Sequence, residues 1–269
     1  MGAYEKFIRD SAGEYLDHEN FIASRENTFK ELAVRQDKNA YDDGGIGTLS
    51  EKTVHAVLKN YIEPDKDYQE VAMDGFFADI CRKSEIVEIQ TRAFDRLRRK
   101  LDSFLNYYPV TVVYPMAVNK WIANVDKKTG ERGSFRCSPL HLNEYHAFTE
   151  LYKIKSRLRN PNLKIHLYMM DMEEYKMESS VIKRGRPTYS KLDRIPLGIR
   201  RIVTLDCPND YLQFIPPELE NGFTSGDFSV SAGISKSDAS LALNILYEMG
   251  VVARTGKKGN SYTYEVSYL

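Results

Sequence analysis

Two carboxylate residues, Asp79 and Glu88, are separated by eight residues in a stretch that reads as two short strands joined by a polar turn at 82–84. Because side chains alternate between the faces of a strand, both carboxylates are expected on one face of this hairpin. Facing carboxylates repel each other by on the order of 1 kcal/mol or more when partly shielded from water. A divalent cation removes that repulsion, so the pair predicts a site for Mg²⁺, or for Mn²⁺, which hard oxygen ligands suit.

The opposite face of the predicted hairpin is wholly apolar and is expected to be core. The carboxylate face is mixed, because apolar residues share it, so it need not be open to solvent. The alternative is that two acids lie on a solvated sheet face. The predicted core face comprises Phe76, Ala78, Ile80, Val87 and Ile89, and the mixed face also carries Phe77, Cys81 and Ile86.

The elements around the hairpin follow the order helix, three strands, helix, strand. A helix is predicted from 48 to 62, because apolar residues recur at helical spacing until Glu63-Pro64. A strand at 68–72 leads into the hairpin, and an amphipathic helix at 92–105 follows it. The β-branched run at 109–115, between two prolines, is typical of a strand buried on both faces. A long helix is predicted from Ser138, because apolar residues recur at helical spacing until Asn160-Pro161.

Asp79 followed by Glu88-Ile89-Gln90, within this αβββαβ order, resembles the D…(D/E)xK motif of the restriction-endonuclease-like PD-(D/E)xK nuclease superfamily. The superfamily usually has lysine where Gln90 stands, although some of its restriction enzymes carry glutamine there. The resemblance implies an α/β fold with a mixed sheet flanked by helices, and a metal-dependent endonuclease. Asp79, Glu88 and the backbone carbonyl of Ile89 would then bind Mg²⁺, and Gln90 would position the attacking water.

Two polar residues of the first helix, Glu51 and His55, lie one turn apart beside its apolar stripe. The resemblance implies that one of them is an auxiliary metal ligand or a proton-transfer group. The alternative for Glu51 is a capping box with Thr48. The alternative for His55 is a half-buried histidine that is hydrogen-bonded at the helix edge.

The helix at 92–105 carries a basic outer face of Arg92, Arg96, Arg99 and Lys100. Arg92 follows the Glu88 strand closely and is the best candidate for a phosphate contact, although such faces are usually only solvated. Lysines elsewhere in the superfamily can replace the missing one of the motif. Lys120 or Lys100 is therefore a possible substitute, and a surface lysine is the alternative.

A basic stretch at 183–201 is predicted to be a loop over the nuclease domain. Within it, Arg184-Gly185-Arg186-Pro187 resembles the core of an AT-hook, whose arginines enter a narrow minor groove. Non-specific phosphate contact by the same loop is the alternative.

The C-terminal segment, 221–269, resembles a winged helix, with two short helices followed by a hairpin. In that fold the second helix reads the major groove by its N-terminal residues, here Lys236 and Ser237. Lys257 and Lys258 in the hairpin would contact phosphate. Winged helices also serve as protein-interaction modules, which is the alternative.

The whole chain has 269 residues, with 42% hydrophobic and 28% charged residues, which predicts an ordinary globular protein. Three widely spaced cysteines and a charged N-terminus without an apolar core favour a cytoplasmic location. The predicted domains are a helical extension at 1–47, the nuclease-like domain at 48–220 and the winged helix at 221–269. The formal net charge of zero gives no global support for nucleic-acid binding, which must depend on local basic patches.

The sequence therefore predicts a metal-dependent DNA endonuclease that the winged helix docks onto DNA, with DNA as partner and a homodimer as a possibility. Neither an organic cofactor nor a membrane is expected. One alternative is a catalytically silent nuclease fold that binds DNA or regulates transcription, which Gln90 favours. The other is an interaction module without nucleic acid, which the neutral net charge favours.

Overall fold

The computed structural model describes residues 2–38, 52–83, 85–183 and 186–267. Two compact units are present, and each is assembled from three separate segments of the chain. Unit 1 comprises Met1–Gln69, Pro115–Leu142 and Tyr168–Ile202, and unit 2 comprises Glu70–Tyr114, Asn143–Leu167 and Val203–Leu269.

A large mixed sheet flanked by helices dominates the fold, which confirms the predicted α/β class. Its strands follow the order β1-β2-β3-β4-β6-β7, with β5 paired to β4. The strands are β1 (Gln69–Met73), β2 (Phe76–Arg82), β3 (Glu85–Ile89), β4 (Val110–Val125), β5 (Arg136–Cys137), β6 (Leu163–Lys183) and β7 (Arg186–Leu205). The helices before the C-terminal segment are α1 (Ala3–Ser11), α2 (His18–Lys38), α3 (Lys52–Ile62), α4 (Arg98–Phe104) and α5 (Phe148–Leu151).

The predicted hairpin is formed by β2 and β3, which pair antiparallel, while β3 pairs parallel with β4. Lys83 occupies the left-handed region at φ 44° in the turn. The predicted core face is confirmed for Ala78, Ile80 and Ile89, which are buried, whereas Phe76 and Val87 are only half-buried. The predicted order of helix, three strands, helix and strand is present as α3, β1, β2, β3, α4 and β4.

The helix predicted at 92–105 begins later, because Ala93 adopts a left-handed conformation at φ 55°. A 3₁₀ turn at Phe94–Leu97 precedes α4. The predicted apolar stripe is buried: Phe94, Leu97, Leu101, Phe104 and Leu105.

Two predictions along the chain were wrong. The long helix predicted from Ser138 begins only at Glu144, where Asn143 and His146 form a capping box, and it breaks near Ile154, whose φ is −116°. The segment predicted as a basic loop at 183–201 lies largely in β7. Its apolar residues Leu197 and Ile199 are buried, and these alternating positions fix a strand that the charge pattern had obscured.

The N-terminal residues, predicted as an extension, are part of unit 1. A backbone hydrogen bond from Leu16 to Ile199, with an N···O distance of 2.7 Å, joins this segment to β7. Phe21 of α2 is fully buried. The Asn60 amide of α3 donates to Thr28 of α2 at 2.8 Å.

The C-terminal segment folds as predicted at the level of its elements and belongs to unit 2. It contains β8 (Phe223–Thr224), α6 (Ser225–Ser231), α7 (Lys236–Glu248), β9 (Val252–Lys258) and β10 (Ser261–Val266). The three strands form a second sheet in the order β8-β10-β9. Three apolar residues on one side of α7, Ala239, Leu243 and Leu246, are fully buried.

No helix in the described ranges has the length and apolar character needed to cross a membrane.

Candidate active site

Strands β2 and β3 bring Asp79 and Glu88 together, as the alternation of side chains predicts. Their pairing sets Ile80 opposite Val87, and Asp79 and Glu88 are the next residues along the two strands. The backbone N–H of Asp79 donates to Glu88 Oε1 at 3.4 Å, and the backbone N–H of Ile89 donates to Asp79 Oδ2 at 2.8 Å. Each carboxylate is therefore fixed by a backbone donor of the opposite strand.

Glu88 is the more deeply placed of the two acids, with 2% of its surface exposed. Burial raises the pKa of its carboxyl to about 8, and the neighbouring Asp79 carboxylate adds to this rise, while Lys100 opposes it. A buried carboxyl next to a second acid is electrostatically unfavourable in its ionised form. The pair therefore favours a cation at this place.

Lys100, in α4, supplies one such cation. Its Nζ lies 2.5 Å from Glu88 Oε2, and 17% of the side chain is exposed. The ammonium also lies 5.9 Å from the centre of the Phe104 ring. The sequence grouped Lys100 with the basic outer face, but the structure turns it towards the carboxylates.

A sequence signal for this placement exists. Lys100 lies three residues after Leu97 and four before Phe104, both of which are buried, so it borders the apolar stripe of α4. Arg96 and Arg99 lie away from that stripe and are exposed.

Gln90, which occupies the lysine position of the motif, uses its side-chain amide to donate to the backbone carbonyl of Arg92. This hydrogen bond uses one of the two N–H donors of the amide, so the interpretation that Gln90 positions a water depends on its other N–H or on Oε1. Arg92 is exposed, two residues beyond Gln90.

The other residues predicted for this site belong to the other compact unit or lie outside the described residues. His55 lies half-buried on α3 in unit 1, whereas Asp79 and Glu88 belong to unit 2. Lys120, the other candidate for the missing lysine, lies in unit 1 and forms an ion pair with Glu174 at 3.3 Å. Glu51 lies outside the described residues.

The side chains of the two arginines in the AT-hook-like stretch are not among those that the structure describes. Arg184 lies outside the described residues, and only the backbone of Arg186, at the start of β7, is described.

The DNA-binding candidates of the C-terminal segment are exposed. Lys236 and Ser237 lie in the first turn of α7, and Lys257 and Lys258 lie at the end of β9. The Ser237 hydroxyl is 2.7 Å from that of Ser235, which caps α7, so Ser237 already has a local partner.

The hairpin offers two carboxylates and the backbone carbonyl of Ile89 as possible metal ligands. Residues that the structure describes contain no group of three or more His, Cys, Asp and Glu side chains able to hold a metal. The donor set is nevertheless of the kind that Mg²⁺ takes, since that ion keeps several waters and needs only one or two carboxylates. The negative charges of Asp79 and Glu88 also favour a divalent cation, which would reduce their mutual repulsion.

Comparison with known proteins adds family membership but no activity. A family model described as a domain of unknown function (DUF8091) matches residues 52–206, which is more than half of the chain. An uncharacterised protein of Treponema pallidum (strain Nichols) is 27% identical over 224 residues, which cover 81% of this chain and 86% of that protein. No solved structure matches the chain.

Proposed function

The chain belongs to the DUF8091 family, and we propose that it is a metal-dependent endonuclease that hydrolyses phosphodiester bonds of DNA. The observation that carries the proposal is the convergence of Asp79, Glu88 and Lys100 in unit 2. The Lys100 ammonium lies 2.5 Å from Glu88, so a cation is present although Gln90 replaces the lysine of the motif.

The core elements support a PD-(D/E)xK nuclease fold. Its αβββαβ order is matched by α3, β1, β2, β3, α4 and β4. The antiparallel pairing of β2 with β3 and the parallel pairing of β3 with β4 form a mixed sheet around the carboxylates. Asp79 and Glu88 lie at the centre of this arrangement.

Each residue has a distinct role in the proposed reaction. Asp79, Glu88 and the carbonyl of Ile89 would hold Mg²⁺ or Mn²⁺, which would activate a water and stabilise the charge developing on the phosphate. Lys100 adds a fixed positive charge at the same place, where shielding from solvent strengthens its effect. Exposed Arg92, Arg96 and Arg99 provide positive charge for the DNA backbone next to α4.

The C-terminal segment would dock the DNA as a winged helix. A 3₁₀ helix at Pro208–Phe214 precedes β8, α6, α7, β9 and β10, and this order supports that assignment. Lys236 at the start of α7 and Lys257 and Lys258 on β9 are exposed, as such a role requires.

A second candidate function is a DNA-binding or transcriptional regulatory protein without catalysis. The same ion pair favours it, because Lys100 already compensates the charge of Glu88 without any metal. In this alternative the carboxylates and Lys100 only stabilise the hairpin against α4.

The test is cleavage of supercoiled plasmid DNA with Mg²⁺, Mn²⁺ or EDTA, using the wild type, Asp79→Ala and Glu88→Ala. Glu85→Ala, an exposed glutamate at the start of the same strand, is the matched control. The proposal expects metal-dependent cutting that both site variants lose and the control retains. DNA binding without cutting by the wild type would instead support the regulator.

A further inference from the structure

Arg254 on β9 lies between the rings of two tyrosines. Its guanidinium carbon is 4.4 Å from the ring centre of Tyr247, in the last part of α7, and 4.3 Å from that of Tyr262, on β10. The third ring, Tyr264, lies opposite Arg254 in the strand ladder, with its centre 6.0 Å from the same carbon. Three aromatic contacts therefore restrict a side chain that is exposed to solvent.

Two further lysines belong to the elements that hold Arg254, Lys257 to β9 and Lys236 to α7. Lys257 Nζ lies 5.0 Å from the centre of the Tyr262 ring. Lys236 and Tyr247 are eleven residues apart on α7, about three turns, so they lie on one side of the helix. In the described part of the chain, no carboxylate is within ion-pair distance of Arg254, Lys257 or Lys236.

The charge distribution points to an anionic ligand with repeated charges. An unpaired guanidinium presents a planar fork of donors that matches the oxygens of a phosphate. A fork that is already held in place loses less conformational entropy on binding than a free side chain does. The tyrosines thus supply contacts to an arginine that has no carboxylate partner in the described part of the chain.

The geometry argues against stacking of unpaired bases on these rings. Two cations lie within 5.0 Å of the Tyr262 ring centre, and the guanidinium also covers Tyr247. A base that stacked here would have to displace a cation from an aromatic face. Phosphate binding leaves all these contacts in place.

We propose that Arg254, held between Tyr247 and Tyr262, is a rigid anchor for the phosphate backbone of a nucleic-acid duplex. Lys257 and Lys236 extend the same basic surface. This inference depends on the proposed function for its ligand class and deepens it, because it assigns duplex docking to a preformed arginine rather than to base readout by α7. Binding at this anchor is independent of the base sequence.

The experiment measures affinity for a short fluorescent DNA duplex by anisotropy, in EDTA, over a series of salt concentrations. Arg254→Gln is expected to weaken binding by about tenfold at low salt and to reduce the salt slope by about 1. Arg254→Lys and Tyr247→Leu leave the number of positive charges unchanged. They are expected to weaken binding about threefold, with an unchanged slope, because the rigid fork is lost.

The matched control is Arg159→Gln, an exposed arginine of the same unit, which should change neither affinity nor slope. Circular dichroism and thermal unfolding of every variant exclude misfolding. The same measurement is made with a duplex RNA of the same sequence. If Arg254→Gln weakens RNA binding by the same factor as DNA binding, the result supports the anchor, because both duplexes have backbone phosphates.

Several results would overturn the anchor. These are unchanged duplex affinity in Arg254→Gln, no duplex binding by the wild type, or wild-type duplex affinity in both Arg254→Lys and Tyr247→Leu. Since EDTA prevents cleavage, these results are separate from the nuclease test. A protein that binds duplex through Arg254 but never cuts would refute the nuclease alone.

Discussion

At the scale of single residues, the site depends on where a charge lies in space and not on its position in a motif. Gln90 occupies the lysine position but donates to the carbonyl of Arg92. Lys100, ten residues further along, places its ammonium against Glu88 instead. The positive charge that is missing from β3 is therefore supplied by α4, the next α-helix along the chain.

Replacing Lys100 by methionine tests this role. We expect Lys100→Met to lower the cleavage rate by roughly 10²- to 10³-fold, as does removal of one preorganised electrostatic group from an active site. Single-turnover plasmid nicking with saturating protein and metal measures the rate.

The control for Lys100→Met is Lys164→Met, the same change at a half-buried lysine of unit 2. It should retain the wild-type cleavage rate. If Lys100→Met nicked DNA at the rate of the wild type, Lys100 would be only a structural partner of Glu88.

The carboxylate pair was predictable from the sequence, because strand alternation alone places Asp79 beside Glu88. Lys100 was one of two candidates for the missing lysine, and the sequence could not choose between it and Lys120, since the phase of α4 relative to the sheet depends on tertiary packing of Leu97 and Phe104. The ring contacts of Arg254 were also beyond prediction, because they join α7 to two strands.

The raised pKa of Glu88 predicts a pH dependence of stability in the absence of metal. Its pKa is about 8 when folded, against an ordinary value of 4.5, so the folded state holds the proton more tightly. Its stabilising contribution is therefore complete below about pH 4.5 and is lost as the pH rises through about 8. We expect the unfolding free energy of the wild type in EDTA to fall over this range relative to Glu88→Gln.

Urea unfolding at a series of pH values measures this difference. Groups that do not interact with Glu88 contribute equally to both proteins, so the difference between the two curves reports on Glu88 together with its partners Asp79 and Lys100. Parallel curves from pH 5 to 9 would show that Glu88 keeps an ordinary pKa.

At the scale of elements, apolar periodicity predicted α3, α4, α7 and the hairpin well. It failed where local polar contacts decide, as at Asn143, whose capping box delays the helix expected from Ser138. It also failed at β7, where abundant basic residues suggested a loop. Those arginines pair with buried acids, since Arg194 contacts Glu174 at 2.7 Å and Arg200 contacts Asp171 at 2.6 Å.

Asp171 connects the elements of unit 1 and should be important for stability. It is fully buried and accepts hydrogen bonds from Tyr15 at 2.9 Å, Asn119 at 2.8 Å and Arg200 at 2.6 Å. Asp171→Ala removes the shared acceptor of these three donors, although Arg200 keeps its hydrogen bonds to Glu14 and Ser11. We therefore expect a loss of about 3 kcal/mol in the free energy of unfolding.

The measurement is urea unfolding, with Glu178→Ala as the control. Glu178 lies on the same strand but is exposed, and its replacement should cost less than about 0.5 kcal/mol. A similar small cost for Asp171→Ala would mean that Tyr15, Asn119 and Arg200 find other partners.

At the scale of the whole molecule, the sequence divided the chain into consecutive domains at 1–47, 48–220 and 221–269. Compactness divides it differently, into two units of three segments each. Such a division cannot be predicted from composition along the chain, because it depends on which distant segments pack together. Residues 221–269 form their own sheet but share unit 2 with the candidate active site.

A nuclease with one catalytic site per chain cuts the two strands of a duplex in one step only if two copies act together, whereas a single copy has to cut them in succession. We therefore expect nicked plasmid at low protein concentration and linear plasmid only at higher concentration. The amount of linear plasmid should rise more steeply than in proportion to the protein concentration. Agarose-gel quantification of the two products measures this. Linear product in constant proportion to nicked product at every concentration would mean that a single chain cuts both strands.

The central claim is that Asp79 and Glu88 together hold a divalent ion, and titration with Mn²⁺ followed by electron paramagnetic resonance tests it most directly. Titrations of the wild type, Asp79→Asn, Glu88→Gln and the control Glu85→Gln should be made above pH 8, where Glu88 is ionised. We predict saturable binding by the wild type and the control, and its loss in both site variants. Absence of saturable binding by the wild type, or binding that survives both substitutions, would contradict the claim.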